Sequence, residues 1–172
     1  ACMRCKYWND FGHPEYKVNV NLSVIQLLQN DIIDTIKNAL TETEVQPSNL
    51  TLEVTEGLAI NDMKRMQEVL GEIKKLGVRV ALDDFGTGYS SLNHIRSMPI
   101  DVIKIDKCFV EDVGEDVFSE AFVKSVSQLA DALHMHVCVE GVEDKNQCDA
   151  LKDMNVDLIQ GYLFDKPLSV DD

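Results

Sequence analysis

Apolar positions recur along this chain with two alternating periods. Runs with a period near two occur at 17–23 (KVNVNLS), 50–56 (LTLEVTE), 78–85 (VRVALDDF), 101–106 (DVIKID), 136–142 (HVCVEGV) and 156–168 (VDLIQGYLFDKPL). They read as six strands, the very apolar ones suited to burial on both faces. Helical spacing lies between them. Residues 24–40 place Leu28, Ile32, Ile36 and Leu40 on one stripe, and Asp62 to Leu76 does the same with Met66, Val69, Leu70 and Ile73 before Gly77 stops it. A short helix is expected over Ser91–Ser97, ended by Pro99. Another is expected over 119–134 with Ser119 as its N-cap, and a third over 143–154 with Glu143, Asp144 and Lys145 as its solvated start. Residues 46–49 (QPSN) read as a loop. His134 and His136 read as alternating side chains of one strand, and Met63, Met66, Met135 and Met154 as packing.

Strands alternating with helices imply an α/β architecture built on a parallel sheet. Six strands fit an open doubly wound sheet. They also fit most of a (β/α)₈ barrel, which needs eight strands and typically about 250 residues. In both, the strands' C-terminal ends share one rim, where ligands bind. Side chains alternate faces along a strand, and each run sets a polar residue among apolar ones near its end. Asn21, Glu53, Asp83, Asp84, Lys104, Glu140 and Gln160 are therefore expected to converge.

Composition narrows the chemistry. The chain has 172 residues, 45% hydrophobic and 27% charged, enough to bury the core of a single domain over 1–172. Its net charge of −14 repels nucleic acid and anionic membranes, so a phosphate-bearing substrate would need local cations. No stretch resembles a membrane span or a signal peptide. Five cysteines without a disulfide framework fit a reducing cytoplasm, and the lone Cys2-x-x-Cys5 pair lacks partners for zinc. Four carboxylates and an amide oxygen are hard ligands suited to Mg²⁺ or Mn²⁺. Two such ions could clamp a phosphoryl centre, Asp83 bridging them and Asp84 binding one, with 86–91 (GTGYSS) as a closing loop.

The segments NLS at 21–23, LEVTE at 52–56, DDFGTGYSSL at 83–92, PIDVIKID at 99–106, VEGVE at 139–143 and QGYLFDKPL at 160–168 together resemble the EAL domains, bacterial phosphodiesterases specific for cyclic di-GMP. Trp8 also sits where that family usually has one. The resemblance implies an incomplete TIM-type barrel with about six of eight strands. It implies two-metal opening of cyclic di-GMP to linear pGpG with Mg²⁺ or Mn²⁺. Asn21, Glu53 and Asp83 would bind one ion, and Asp83, Asp84 and Glu140 the other. Lys104 would orient the attacking water, Glu140 help activate it, and Gln160, Asp84 and Pro167 contact substrate. Glu56 would anchor the loop from Phe85 to Ser91, which in this family couples dimerisation to metal binding.

The family's Glu-Ala-Leu segment is absent, so the chain is expected to be N-terminally truncated, to lack one metal-binding Glu, and to be impaired. Strand edges exposed at 17–23 and 156–163 lead us to expect a homodimer, or residues 1–16 covering the gap. A longer parent chain could carry a sensory or GGDEF domain. The competing readings are a non-hydrolytic cyclic di-GMP sensor and a regulatory protein-interaction module.

Overall fold

The computed structural model describes residues 1–56, 63–88 and 92–169. Its strands are β1 (Val18–Asn21), β2 (Leu50–Thr55), β3 (Arg79–Phe85), β4 (Val102–Ile105), β5 (His136–Val139) and β6 (Leu158–Ile159). They follow the chain order β1 to β6 in a six-stranded sheet, and the pairs β1/β2, β4/β5 and β5/β6 are parallel. Helix α1 (Cys2–Asp10) precedes β1, and between the strands lie α2 (Val24–Leu27), α3 (Ile32–Thr43), α4 (Met63–Lys75), α5 (Leu92–Ser97), α6 (Val117–Ala132) and α7 (Lys145–Leu151). This is the α/β class, with six strands of a TIM-type barrel, as the sequence implied. Among the described residues no helix is long and apolar enough to cross a membrane.

The contacts gather in two compact units. The first comprises Ala1–Leu82 with Tyr89–Asp101. Its core is aliphatic: Leu27, Val54, Met66, Leu70, Ile73, Val80 and Ile95 are fully buried. Met66, Leu70 and Ile73 recur at helical spacing, so one face of α4 contributes about 1.5–3 kcal/mol per buried side chain. Gly77, at φ 85°, ends that segment in the left-handed region. Lys74 pairs with Asp101, whose other oxygen accepts from Val80 N at 2.8 Å.

Here the single helix expected over 24–40 is replaced by two. Ser23 and Gln26 form a reciprocal capping box that starts α2, which stops at Leu28. Residues Leu28 to Asp31 form the turn that separates it from α3. The Leu28 carbonyl freed by this break accepts from the Arg65 guanidinium at 2.7 Å, which also donates to Asn30 Oδ1 at 2.6 Å. α1 corresponds to no expected element. Its Cys5 is buried and anchored from Tyr16 O and Asn49 O, at 3.5 and 3.9 Å. QPSN is a 3₁₀ turn over Pro47–Asn49 rather than an open loop.

The second unit comprises Asp83–Gly88 with Val102–Asp172. Ile103, Ile105, Val110, Val123, Val139, Val142 and Leu151 fill its core. The N-cap of α6 is Asp116, not Ser119. The Asp116 carboxylate accepts from Ser119 N at 2.9 Å and from its hydroxyl at 3.1 Å, and Ser119 is buried in the first turn. His134 lies outside the strand assigned to it: at φ 59° it turns the chain after α6, and β5 begins at His136. Asp144 caps α7 in a second capping box with Gln147, at the solvated start expected there. The starts expected at Asp62 and Ser91 fall outside the described residues; α4 and α5 are described from Met63 and Leu92.

Candidate metal and phosphate site

The centre of the second unit's site is Lys104 on β4. It is 4% exposed, and its ammonium stands 2.9 Å from Asp83 Oδ1 and 2.8 Å from Glu140 Oε1. A buried ammonium is costly unless carboxylates hold it. β4 carries it there because Ile103 and Ile105 face the core on either side. The β4/β5 register sets Ile105 opposite Val139, and Glu140 follows as β5 ends, its N–H donating to Ile105 O at 3.1 Å.

Asp83 and Asp84 are adjacent, and in a regular strand their side chains would point to opposite faces. They nevertheless join Glu140 in one cluster, a carboxylate oxygen from each lying within 4.8 Å of the others. Asp84 has φ 55°, a left-handed backbone that non-glycine residues seldom adopt, although Asp tolerates it better than most. That angle allows both side chains to serve one site. The turn is closed by the Thr87 N–H and hydroxyl, which donate to Asp84 O at 3.2 and 2.8 Å.

This donor set fits a divalent cation. Oxygens bound to one Mg²⁺ ion stand up to roughly 4.2 Å apart, and these three lie within 4.8 Å of one another. Three carboxylates facing one ammonium keep the cluster negative, and all the donors are hard.

A cavity of about 260 Å³ opens beside Glu140. Asp106, Lys107, Gly141, Glu143, Gln160, Gly161 and Tyr162 complete its lining. Gln160 is held by its N–H to Val139 O at 2.8 Å. Two glycines let backbone approach here. A Cβ on Gly161 would stand 2.1 Å from Val142 O, and one on Gly141 2.3 Å from Lys107 Cβ. Sequence reasoning missed Asp106, Lys107 and Tyr162. Asp106 was legible in principle, lying two residues beyond Lys104 in the same strand-end motif. Pro167 is exposed after β6 and does not line this cavity.

In the first unit the β1/β2 register sets Asn21 directly opposite Glu53. Glu53 is buried and accepts from Asn19 Nδ2 at 2.8 Å. Asn19 was not among the candidates, although it shares a strand face with Asn21. Glu56 is buried just beyond β2. The loop it was expected to anchor is described only to Gly88; Tyr89, Ser90 and Ser91 lie outside the described residues.

The chain matches the family model for the EAL domain over residues 1–167. It is 34% identical over 168 residues to the bifunctional diguanylate cyclase/cyclic di-GMP phosphodiesterase MucR of Pseudomonas aeruginosa. That match covers 98% of this chain and 24% of the relative, so the chain spans about a quarter of that protein. A solved PaMucR phosphodiesterase in complex with c-di-GMP superposes with a TM-score of 0.92 at 34% identity, covering 98% of this chain and 68% of that one. A manganese/cy-diGMP complex of BlrP1 from Klebsiella pneumoniae gives a TM-score of 0.86 at 28% identity, over 96% of this chain and 42% of that one.

Proposed function

Since the chain belongs to the EAL domain family, we propose that residues 1–172 act as one cyclic di-GMP phosphodiesterase domain that opens the cyclic dinucleotide to linear pGpG. The observation that carries this reading is Lys104, buried between Asp83 and Glu140 with Asp84 beside them. The relatives support the substrate and the use of divalent ions: one is named a cyclic di-GMP phosphodiesterase, and another is complexed with manganese and the dinucleotide.

Asp83, Asp84 and Glu140 would hold one Mg²⁺ or Mn²⁺ ion. Asn21 and Glu53, with Asp83, keep the role the resemblance implies as ligands of another. Bound ions of this kind stabilise charge at phosphorus and lower the pKa of a coordinated water. The protein's own groups do the rest. The Lys104 ammonium directs a water toward phosphorus and balances the carboxylates, and Glu140 accepts that water's proton. Water adds across one P–O3′ bond, and the proton ends on the released 3′ hydroxyl. Gln160, Asp84 and Pro167 contact the substrate, the cavity beside Glu140 receives part of it, and Glu56 anchors the loop after Phe85.

The test is turnover of cyclic di-GMP with Mn²⁺, followed by chromatography of pGpG, in the parent chain, Lys104→Ala and Asp83→Asn. Lys104→Ala should lower kcat by about two to four orders of magnitude, whereas Asp83→Asn should also raise the Mn²⁺ concentration required. Near-parental turnover in either variant removes the assigned role. Binding of the dinucleotide without product by the parent selects the sensor reading instead.

A further inference from the structure

Phe109 and Phe122 stack face to face, with ring centroids 4.0 Å apart and planes 16° apart. Phe109 belongs to the 3₁₀ turn after β4, and Phe122 to the second turn of α6. Both are half-buried. Phe85 joins the stack at 6.4 Å from Phe122, and the exposed Phe118 closes its outer end at 6.3 Å.

What these rings touch is Gly86. It sits at φ 102°, and a Cβ there would stand 2.6 Å from Phe109 and 2.7 Å from Phe122. Gly86 is the third residue of the turn that Thr87 closes onto Asp84. The rings therefore press on the turn that follows the strained Asp84, two residues from one carboxylate and three from the other. Neither ring lines the cavity beside Glu140.

We propose that Phe109 and Phe122 are positioning residues for Asp83 and Asp84, their stacked rings forming the seat on which the turn 84–87 rests. This rests on the reading of those carboxylates as metal ligands. The left-handed angle at Asp84 is costly in isolation and persists only where the surroundings impose it. The aromatic seat imposes it by leaving the turn no room to relax toward α6. With the seat removed, the backbone at Asp84 relaxes and its carboxylate leaves the cluster.

The test is Mn²⁺ binding by isothermal titration calorimetry on this chain, with circular dichroism to establish folding. Asp83→Asn is the reference for loss of the site. Phe122→Ala should weaken Mn²⁺ binding about tenfold or more, as the loss of supporting partners does in other metal sites. Phe109→Ala is an independent second variant with the same expectation. Phe122→Leu, which keeps apolar bulk against Gly86, should restore most of the affinity. Phe118→Ala, which removes only the exposed end of the stack, should leave it unchanged. A folded Phe122→Ala or Phe109→Ala that binds Mn²⁺ within about twofold of the parent overturns the assignment. So does an equal loss in Phe118→Ala, which would point to general weakening of α6. A parent chain that binds no Mn²⁺ overturns the site reading itself, and this assignment with it.

Discussion

In a regular strand the carboxylate at 84 would face away from its neighbour at 83; a left-handed backbone at Asp84 brings both into the cluster with Glu140. The adjacent acids were legible in the sequence because carboxylates ending an apolar run need a positive partner. The alternation of Lys104 with Ile103 and Ile105 placed it on the same rim, whereas the sequence pointed to divalent ions, not this lysine, as the positive partner. The backbone angle was not legible, because Phe109 and Phe122, which press on the turn, lie 23 and 36 residues beyond Gly86 in the numbering. A second residue-scale consequence concerns Cys108. It is exposed, yet local burial, then the hydrogen bond and charge of Asp106, push its thiol up to about 11. Burial would raise Asp106 as well, but hydrogen bonds from Cys108 and the Lys107 backbone overcome it and hold that carboxyl below its usual range. Thiolate is the reactive form. Iodoacetamide at pH 8 should therefore label Cys108 about two orders of magnitude more slowly than free cysteine, and Asp106→Asn should speed the reaction. Labelling at the free rate would contradict this.

At the scale of elements, Asp157 ties the start of β5 to the approach to β6. One of its oxygens accepts from Val137 N at 2.7 Å, and the other lies 3.1 Å from His136 Nδ1. Burial raises its pKa, but these two partners outweigh burial and hold the carboxyl below its ordinary value. A depressed carboxyl contributes stability that is present above its unfolded pKa and is lost as pH falls through the folded one. Acid unfolding followed by circular dichroism should thus show a component below about pH 4 that Asp157→Asn removes. An unchanged acid limb in that variant would refute the linkage. The same scale shows where pattern reading failed. α1 has no apolar stripe, and Cys5, its buried residue, is held by partners 11 and 44 positions away. The split between α2 and α3 begins with the local Ser23–Gln26 capping box, and Arg65 reaches back from α4 to the carbonyl it frees. α4 was legible because one face repeats apolar residues regularly.

For the whole molecule, a net charge of −14 opposes an anionic dinucleotide, and divalent ions held at the proposed carboxylate site would offset it locally. β1 and β6 stand at the two ends of the strand order, and sheet edges favour pairing with another chain. A homodimer is the proposed outcome, to be read by light scattering; a monodisperse monomer would refute it. The strand count was legible because each run repeats apolar residues with a period near two, whereas the strand order came only with the family resemblance, since an open doubly wound sheet fitted the same pattern. The most direct test of the account is metal-dependent turnover. The chain is incubated with cyclic di-GMP after EDTA treatment, then with Mn²⁺ restored, and pGpG is measured at each stage. Product that is absent under EDTA, appears with Mn²⁺ and is lost in Glu140→Gln is the result predicted. Equal product with and without the ion would contradict the assignment of Asp83, Asp84 and Glu140.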